Sequence, residues 1–378
     1  MDAEVGIVGL GTMGSMTAWQ LSKKGKAIIG FEQFGIGHEK SAAGGETRIF
    51  RTIYKEGLEY ASLLEESYRL WRLLEKESGD KLLYINKGLT IGDSKSKFIK
   101  KGKESIENVD LNGYILGEKK AKELYPQHKL QSNEEIIVDP KAGYIKASQA
   151  IIAATNIAKK YKAKIIDYSP VKEIKQFDNQ IKIKTQHKTY SVKKVLITTG
   201  PWSELFVPSL HYKLNIHRLI NAWFLPKDPF FSSTNFPVFI RELTKGSYYG
   251  LPGNSNDNLI KIGLSATKET RISHPACLYN KVNESEINYI SKIVKNHLPI
   301  LYEEPSKVGA YMDLYTDDKR PILGFLPENQ NILLITAFSG HGFKMAPAIR
   351  KIGAEMLHEG ETNFKNIKKF SPSRVLRS

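Results

Sequence analysis

Residues 3–32 read AEVGIVGLGTMGSMTAWQLSKKGKAIIGFE, and this stretch decides the fold. Ala3 to Val8 is a short apolar run that reads as a buried strand. Gly9, Gly11 and Gly14 follow in the order G-x-G-x-x-G. Thr12 to about Lys24 carries helical periodicity, and Lys26 to Phe31 reads as a second strand ending at Glu32. Gly9 permits the tight turn, Gly11 lets backbone approach a pyrophosphate, and Gly14 lets helix pack on strand. The helix start, at Thr12 and Met13, offers free N–H groups to phosphates. Glu32 stands where a carboxylate accepts hydrogen bonds from a ribose, and it disfavours the 2′-phosphate of NADP. Together these features predict a βαβ unit that binds an adenine dinucleotide.

At 378 residues the chain is long enough for two or three domains. Its hydrophobic content of 41% and charged content of 25% are those of a soluble globular protein. No apolar run approaches the roughly 20 residues that span a bilayer. The chain starts directly on the nucleotide strand, so no signal peptide or membrane anchor is expected and a cytoplasmic location is. Cys277 is the single cysteine. It excludes an internal disulfide and a cysteine-based zinc or iron–sulfur site, and no metal is expected. The formal charge of +16 comes from scattered lysines such as Lys100-Lys101, Lys159-Lys160 and Lys368-Lys369. No basic tract interleaved with aromatics stands out, so the charge reads as a solvated surface rather than a nucleic-acid groove.

Along the chain, a Gly/Ser/Ala-rich loop from Gly35 to Glu46 suits backbone that approaches a ligand. Helices are predicted near 58–77, 96–108, 117–124 and 147–160. Leu82 to Ile91 reads as one strand with a bulge at Gly88. After a strand at Ala163 to Tyr168, a meander runs through Val171 to Gln176, Ile181 to Thr185 and Tyr190 to Val192. A separate strand, Val195 to Thr199, ends at Gly200-Pro201-Trp202, a second approach to the cofactor. Tyr212 to Leu264 reads as a sizeable antiparallel sheet, followed by a helix near 284–297 and strands at Val308 to Leu314 and Ile332 to Thr336. A last helix follows Ser339-Gly340-His341-Gly342, and the basic tail from Lys365 to Arg377 reads as a surface extension. The fold class is α/β with an α+β second domain: a Rossmann-like nucleotide domain (1–88, 146–214 and 318–378) interleaved with a substrate domain on a mainly antiparallel sheet (89–145 and 215–317).

Four segments together resemble the monomeric sarcosine oxidase and N-methyltryptophan oxidase family, within the wider D-amino-acid-oxidase group of flavoproteins. They are Gly9-Leu-Gly-Thr-Met-Gly14, Gly45-Glu-Thr-Arg-Ile-Phe-Arg51, Tyr248-Tyr-Gly-Leu-Pro252 with Lys261-Ile-Gly263, and Phe338-Ser-Gly-His-Gly-Phe-Lys344. The resemblance implies FAD rather than NAD, and oxidation of a secondary or N-methylated amino acid with O2 or another electron acceptor. An amino-acid substrate presents a carboxylate and calls for a cationic clamp. In the family the second Arg of the G-E/D-T-R-x-x-R motif and the Lys after G-H-G-F supply it, here Arg51 and Lys344. On residue type alone, Arg51 pairs with an acid such as Glu56 and Lys344 is a surface lysine.

The resemblance further places Arg48 against the flavin ring, favouring anionic reduced flavin. It makes Lys261 the oxygen-activating lysine, which stabilises developing superoxide electrostatically. Tyr249 and Tyr315 match pocket tyrosines, although tyrosine in a sheet is commonly core. Gly340, His341, Gly342, Phe343 and Lys344 approach the isoalloxazine carbonyl edge, and Ser41, Thr47, Val171, Gly200 and Trp202 complete the cofactor set. The chain departs from the pattern at three places. The cysteine that attaches FAD covalently in the best-known members sits two residues before a Tyr-Thr pair; here Tyr315-Thr316 is preceded by Asp313, so noncovalent FAD is expected. A His-His pair is replaced by Ala43-Gly44, and a pocket histidine by Ser265. These changes alter the pocket, so proline, pipecolate and bulkier N-alkyl amino acids also fit the clamp. Competing readings are a dehydrogenase using another acceptor, an FAD-dependent RNA-modifying protein, and a flavin-binding partner subunit. The protein is expected to be a monomer or small homo-oligomer.

Overall fold

The computed structural model describes residues 1–54, 57–108, 112–232, 235–253 and 258–376. Three sheets organise them. The first carries the strand Ala3–Val8 between Ile28–Phe31 and Thr189–Ile197, both parallel to it. Lys164–Ile166 extends it on one side, and Asn329–Thr336 pairs parallel with Thr189–Ile197 on the other. Alternation explains why both faces are dry. Val5, Ile7, Leu196, Leu333 and Ile335 point into one core; Ala3, Val8, Val195, Ile197 and Leu334 point into another.

Three helices cover the first face: Thr12–Lys23, Ala147–Lys160 and Ala346–Glu359. The first and last of these are tied by a specific contact. The Arg350 guanidinium lies 3.3 Å from the Trp19 ring centroid and donates to Gln20 Oε1 at 2.7 Å. Burial lowers Arg350 to about 9, so this cation is held by the ring and the amide rather than by water. The contact joins the helix Ala346–Glu359, which follows the glycine-rich turn, to the helix Thr12–Lys23.

The second sheet has nine strands, with long antiparallel pairing between Leu214–Phe224 and Lys307–Thr316. Ile260–Leu264, Ser247–Pro252 and Val238–Glu242 continue it antiparallel. Val238–Glu242 then pairs parallel with Gly88–Asp93, which the antiparallel expectation did not include. A small third sheet joins Thr47–Phe50, Gly143–Lys146 and Leu83–Ile85.

Several local expectations are corrected. Leu82 to Ile91 is not one bulged strand. Lys87 adopts φ 68°, the chain turns there, and Leu83–Ile85 and Gly88–Asp93 go to different sheets. Conversely, Tyr190–Val192 and Val195–Ile197 belong to one nine-residue strand, Thr189–Ile197, and Thr198 and Thr199 lie beyond its end. Its first half pairs with the meander and its second half with Asn329–Thr336, so one continuous strand has two neighbours along the same edge. The basic tail is not a loose extension: Phe370 is buried, stacks on Tyr60 at 5.7 Å, and Arg374 Nε reaches Asp318 Oδ2 at 2.9 Å. Among the described residues no helix is long and apolar enough to cross a membrane, and no group of three or more His, Cys, Asp or Glu side chains is placed to hold a metal.

Candidate active site

A cleft with about 1200 Å³ of space, its open mouth included, runs along the carboxyl ends of the first sheet's central strands. This is where open α/β sheets bind ligands. Its lining contains Gly9, Gly11, Thr12, Met13, Glu32, Ser41, Arg48, Val171, Gly200, Trp202, Gly340, Gly342 and Phe343 from the expected set. Gly14, Thr47, His341 and Lys344 stand behind that lining rather than on it. Gly14 is the packing glycine: a Cβ there would lie 1.9 Å from Gly9 O. A Cβ on Gly11 would meet no protein atom within 4 Å, because that side faces the cleft. The bare backbone at Gly11, at the start of the helix Thr12–Lys23, therefore fits a pyrophosphate.

Glu32 is already engaged. Its Oε2 accepts from Leu10 N at 2.9 Å and its Oε1 from Phe34 N at 3.2 Å, with His38 Nε2 at 3.3 Å. These bonds fix the carboxylate at the cleft wall, and His38 joins it there. His38 was not expected from sequence; its only signal is its place in the polar loop after Glu32.

Arg48 and Lys261 meet on one loop. Arg48 Nη1 donates to Thr47 O at 2.8 Å, and its Nη2 to Ala42 O at 2.8 Å and Gly44 O at 2.5 Å. Lys261 Nζ donates to Gly45 O at 2.7 Å and Thr47 O at 2.5 Å. One carbonyl, Thr47 O, thus serves two basic side chains from two sheets. Lys261 is fully buried, not turned to solvent. Burial, then the Arg48 charge, hold its amine well below the usual lysine range, against Glu46 and Glu39. Thr47 itself bonds Pro252 O through its hydroxyl at 2.9 Å and so ties this loop to the second sheet.

Arg51 and Lys344 come from opposite ends of the chain and converge. The Arg51 guanidinium carbon lies 5.0 Å from the Tyr54 ring centroid and Lys344 Nζ lies 5.1 Å from it. The two cations are therefore at most about 10 Å apart. Both are buried, at 9% and 6% exposure, so Lys344 is not a surface lysine. Lys344 Nζ also donates to His341 O at 2.9 Å, and its own carbonyl accepts from Trp71 Nε1 at 2.9 Å. Arg51 lines a separate, smaller cavity of about 250 Å³, its open mouth included, with Thr90, Asp139 and Phe239 rather than the large cleft. Glu56, its expected partner on residue type, lies outside the described residues. Tyr54, the ring that both cations approach, was missed by sequence reasoning; nothing in its local pattern marks it.

Tyr249 Oη donates to Asn221 Oδ1 at 2.9 Å, and burial raises its phenol. Tyr315 meets the His217 ring at 4.8 Å, and burial, then Asp313, raise its phenol well above the ordinary value. Neither tyrosine is on the lining of the large cleft. Gly340, at φ +83°, passes so close that a Cβ there would lie 2.6 Å from Tyr315 Oη. Asp313 does line the cleft. It is half-buried, and it contributes to the wall of that space. Burial raises its carboxyl to about 6, although Leu314 N–H, Arg48, Gly340 N–H and Lys344 pull it down. Sequence marks Asp313 only as the position of a missing cysteine; an acid inside the apolar run Val308–Leu314 is the signal that points to it.

Known proteins match this chain along most of its length. Peroxisomal sarcosine oxidase of Homo sapiens is 28% identical over 355 residues, 93% of this chain and 90% of that protein. Monomeric sarcosine oxidase of Streptomyces avermitilis is 25% identical over 376 residues, covering 98% and 97%. Among solved structures, L-proline dehydrogenase from P. horikoshii superposes with a TM-score of 0.85 at 22% identity, over 100% of this chain and 98% of that one. The family model for FAD dependent oxidoreductases matches residues 4–356. The chain, with its glycine cradle open at Gly11 and its cleft at the strand ends, belongs to the FAD-dependent oxidoreductases.

Proposed function

We propose that the protein oxidises a secondary or N-methylated amino acid to an imine, using noncovalently held FAD and passing the electrons to O2. The observation that carries this reading is the convergence of Arg51 and Lys344 on the Tyr54 ring. Two buried cations on one aromatic ring form a seat for a carboxylate. The similarity to sarcosine oxidases supports the same substrate class.

FAD, when bound, supplies acceptance of the hydride equivalent from the carbon next to the substrate nitrogen. The chain supplies position and charge. Gly9 to Gly14 and the helix start hold the pyrophosphate, Glu32 the ribose, and Val171, Gly200 and Trp202 the adenosine side of the cleft. Ser41, Thr47 and the Gly340–Lys344 turn hold the ring side. Arg51 and Lys344 orient the substrate carboxylate, while Tyr249 and Tyr315 bound the space beside it. Arg48 places positive charge on the cleft wall, where negative charge accumulates on reduction. Lys261, donating two hydrogen bonds to the same loop, stabilises the negative charge that develops on oxygen.

Two features support noncovalent attachment. Cys277, the only cysteine, is exposed and absent from the cleft lining. Asp313 cannot form a thioether. Acid precipitation of the holoprotein is then expected to leave the yellow colour in the supernatant; colour in the pellet contradicts it. In this proposal residues 1–88, 146–214 and 318–378 form the FAD domain and 89–145 and 215–317 the substrate domain. The membership of the first and second sheets supports that division. Amino-acid-driven bleaching of the flavin under nitrogen tests the reaction, and the yield of H2O2 on readmitting air tests the acceptor.

A further inference from the structure

The reaction proposed above leaves two cleft-lining ionisable groups, His38 and Asp313, without a task, and only Asp313 shares its part of the wall with Arg48 near the Gly340 turn. Asp313 is on the strand Lys307–Thr316 and faces the cleft together with Arg48. Its Oδ1 accepts from its neighbour's N–H, Leu314 N, at 2.7 Å. Its Oδ2 lies close to where the Gly340 turn passes: a Cβ on Gly340 would be 3.9 Å from it. Charged and titratable groups face it from every side. Arg48 comes from the strand Thr47–Phe50 and Lys344 from the turn before the last helix. Tyr249 comes from the strand Ser247–Pro252 and Tyr315 from its own strand. His217 is its cross-strand partner, and its ring packs on Tyr315 at 4.8 Å.

Resting on the reading that FAD occupies this cleft, we infer that Asp313 is the proton acceptor that accompanies electron arrival at the bound cofactor. With the cofactor oxidised, the carboxylate is ionised and balanced by Arg48. When a hydride equivalent enters the cleft, two electrons and one proton arrive together, and net negative charge grows beside a carboxylate on the same cleft wall. Two like charges there repel strongly. The Asp313 carboxylate takes one further proton from water and forms its O–H bond; Arg48 is then released to balance the reduced cofactor alone. When the acceptor withdraws the electrons, Asp313 returns that proton to water. The half-reaction therefore stores two electrons and two protons, one of them on this side chain. Asp313 is suited to the exchange because burial already brings its carboxyl close to neutral pH.

The test is the two-electron reduction potential of the holoprotein between pH 5 and 9, set against redox dyes. A cofactor that takes up one proton per electron pair gives half the slope of one that takes up two. The wild-type slope is expected to double above about pH 6, where Asp313 is ionised before reduction and protonated after it. Asp313→Asn removes that doubling and keeps the single slope throughout, while Asp313→Glu restores it. Reduced-minus-oxidised infrared spectra of the wild type gain a protonated-carboxyl band that Asp313→Asn lacks. A wild-type slope with no break, or the same break in Asp313→Asn, overturns the inference even if that variant binds FAD poorly. A protein that holds no FAD at all overturns the underlying reading, and is distinguished by the missing flavin absorbance.

Discussion

Replacing Arg51 by Met isolates the clamp from everything else the site does. Methionine keeps the length and apolar stem of the side chain over the Tyr54 ring, so packing is largely retained and only the cation is lost. The folded protein loses the cation–π contact with Tyr54, worth about 0.5–1 kcal/mol, along with the guanidinium's other contacts. Binding of a carboxylate loses far more. A charge-assisted hydrogen bond contributes about 1.5–3 kcal/mol. Arg51 is only 9% exposed, which places the loss in the upper half of that range. Lys344 remains, so the loss is partial: the dissociation constant rises roughly 30- to 150-fold. The assay is a titration of the flavin spectrum with pyrrole-2-carboxylate, a planar carboxylate that has no oxidisable C–H beside nitrogen. FAD affinity is expected to change less than about threefold, since Arg51 is absent from the cleft lining. Arg51→Lys recovers part of the affinity, without the bidentate geometry. Equal affinity in wild type and variant refutes the reasoning. So does an equal loss with the neutral pyrrole-2-carboxamide, which would place the effect in shape rather than charge.

Lys261→Met is expected to slow flavin reoxidation by O2 about 10²- to 10³-fold in stopped-flow traces while leaving anaerobic reduction by substrate within a few-fold; equal slowing of both half-reactions contradicts its role. The two glycines of the turn separate function from folding. Gly14→Ala drives a Cβ into Gly9 O and fails to fold or melts far lower, whereas Gly11→Ala meets no protein atom, keeps the melting temperature and loses FAD affinity at least tenfold. Asp313 gives a pH signature in the FAD-free protein. Its folded pKa of about 6 exceeds the ordinary aspartate value of 3.8, so the native state binds the extra proton and stability declines as pH climbs through that window. Relative to wild type, Asp313→Asn therefore gains stability between pH 4 and 7, by at most about 3 kcal/mol, in urea denaturation series.

Much of this was legible because it is local. The spacing Gly9-x-Gly11-x-x-Gly14 needs only the chain within one βαβ unit, and a short apolar run marks the strand Ala3–Val8. Helices Ala147–Lys160 and Glu284–His297 emerge at the expected places because each has a strong apolar stripe. What was misread depends on partners far away in sequence. The reversal at Lys87 is a backbone choice with no glycine at that position to announce it. The strand Thr189–Ile197 looks like two because its edge changes neighbour midway. Within the site, the motifs point to Arg48, Arg51, Lys261 and Lys344, but their meeting points, Thr47 O and the Tyr54 ring, are properties of the assembled sheets. Asp313 is the clearest case. Its residue type is visible in the sequence, while its proton affinity is created by burial among Arg48, Lys344 and the tyrosines.

The account stands on a carboxylate-bearing amine being oxidised in this cleft. The direct measurement is the absorbance of the FAD-loaded protein under nitrogen on addition of N-methyl and cyclic amino acids, each paired with its decarboxylated amine. Bleaching by at least one such amino acid, with its decarboxylated counterpart slower by tenfold or more, is the predicted result. Bleaching by neither, or equally fast bleaching by both, contradicts the account.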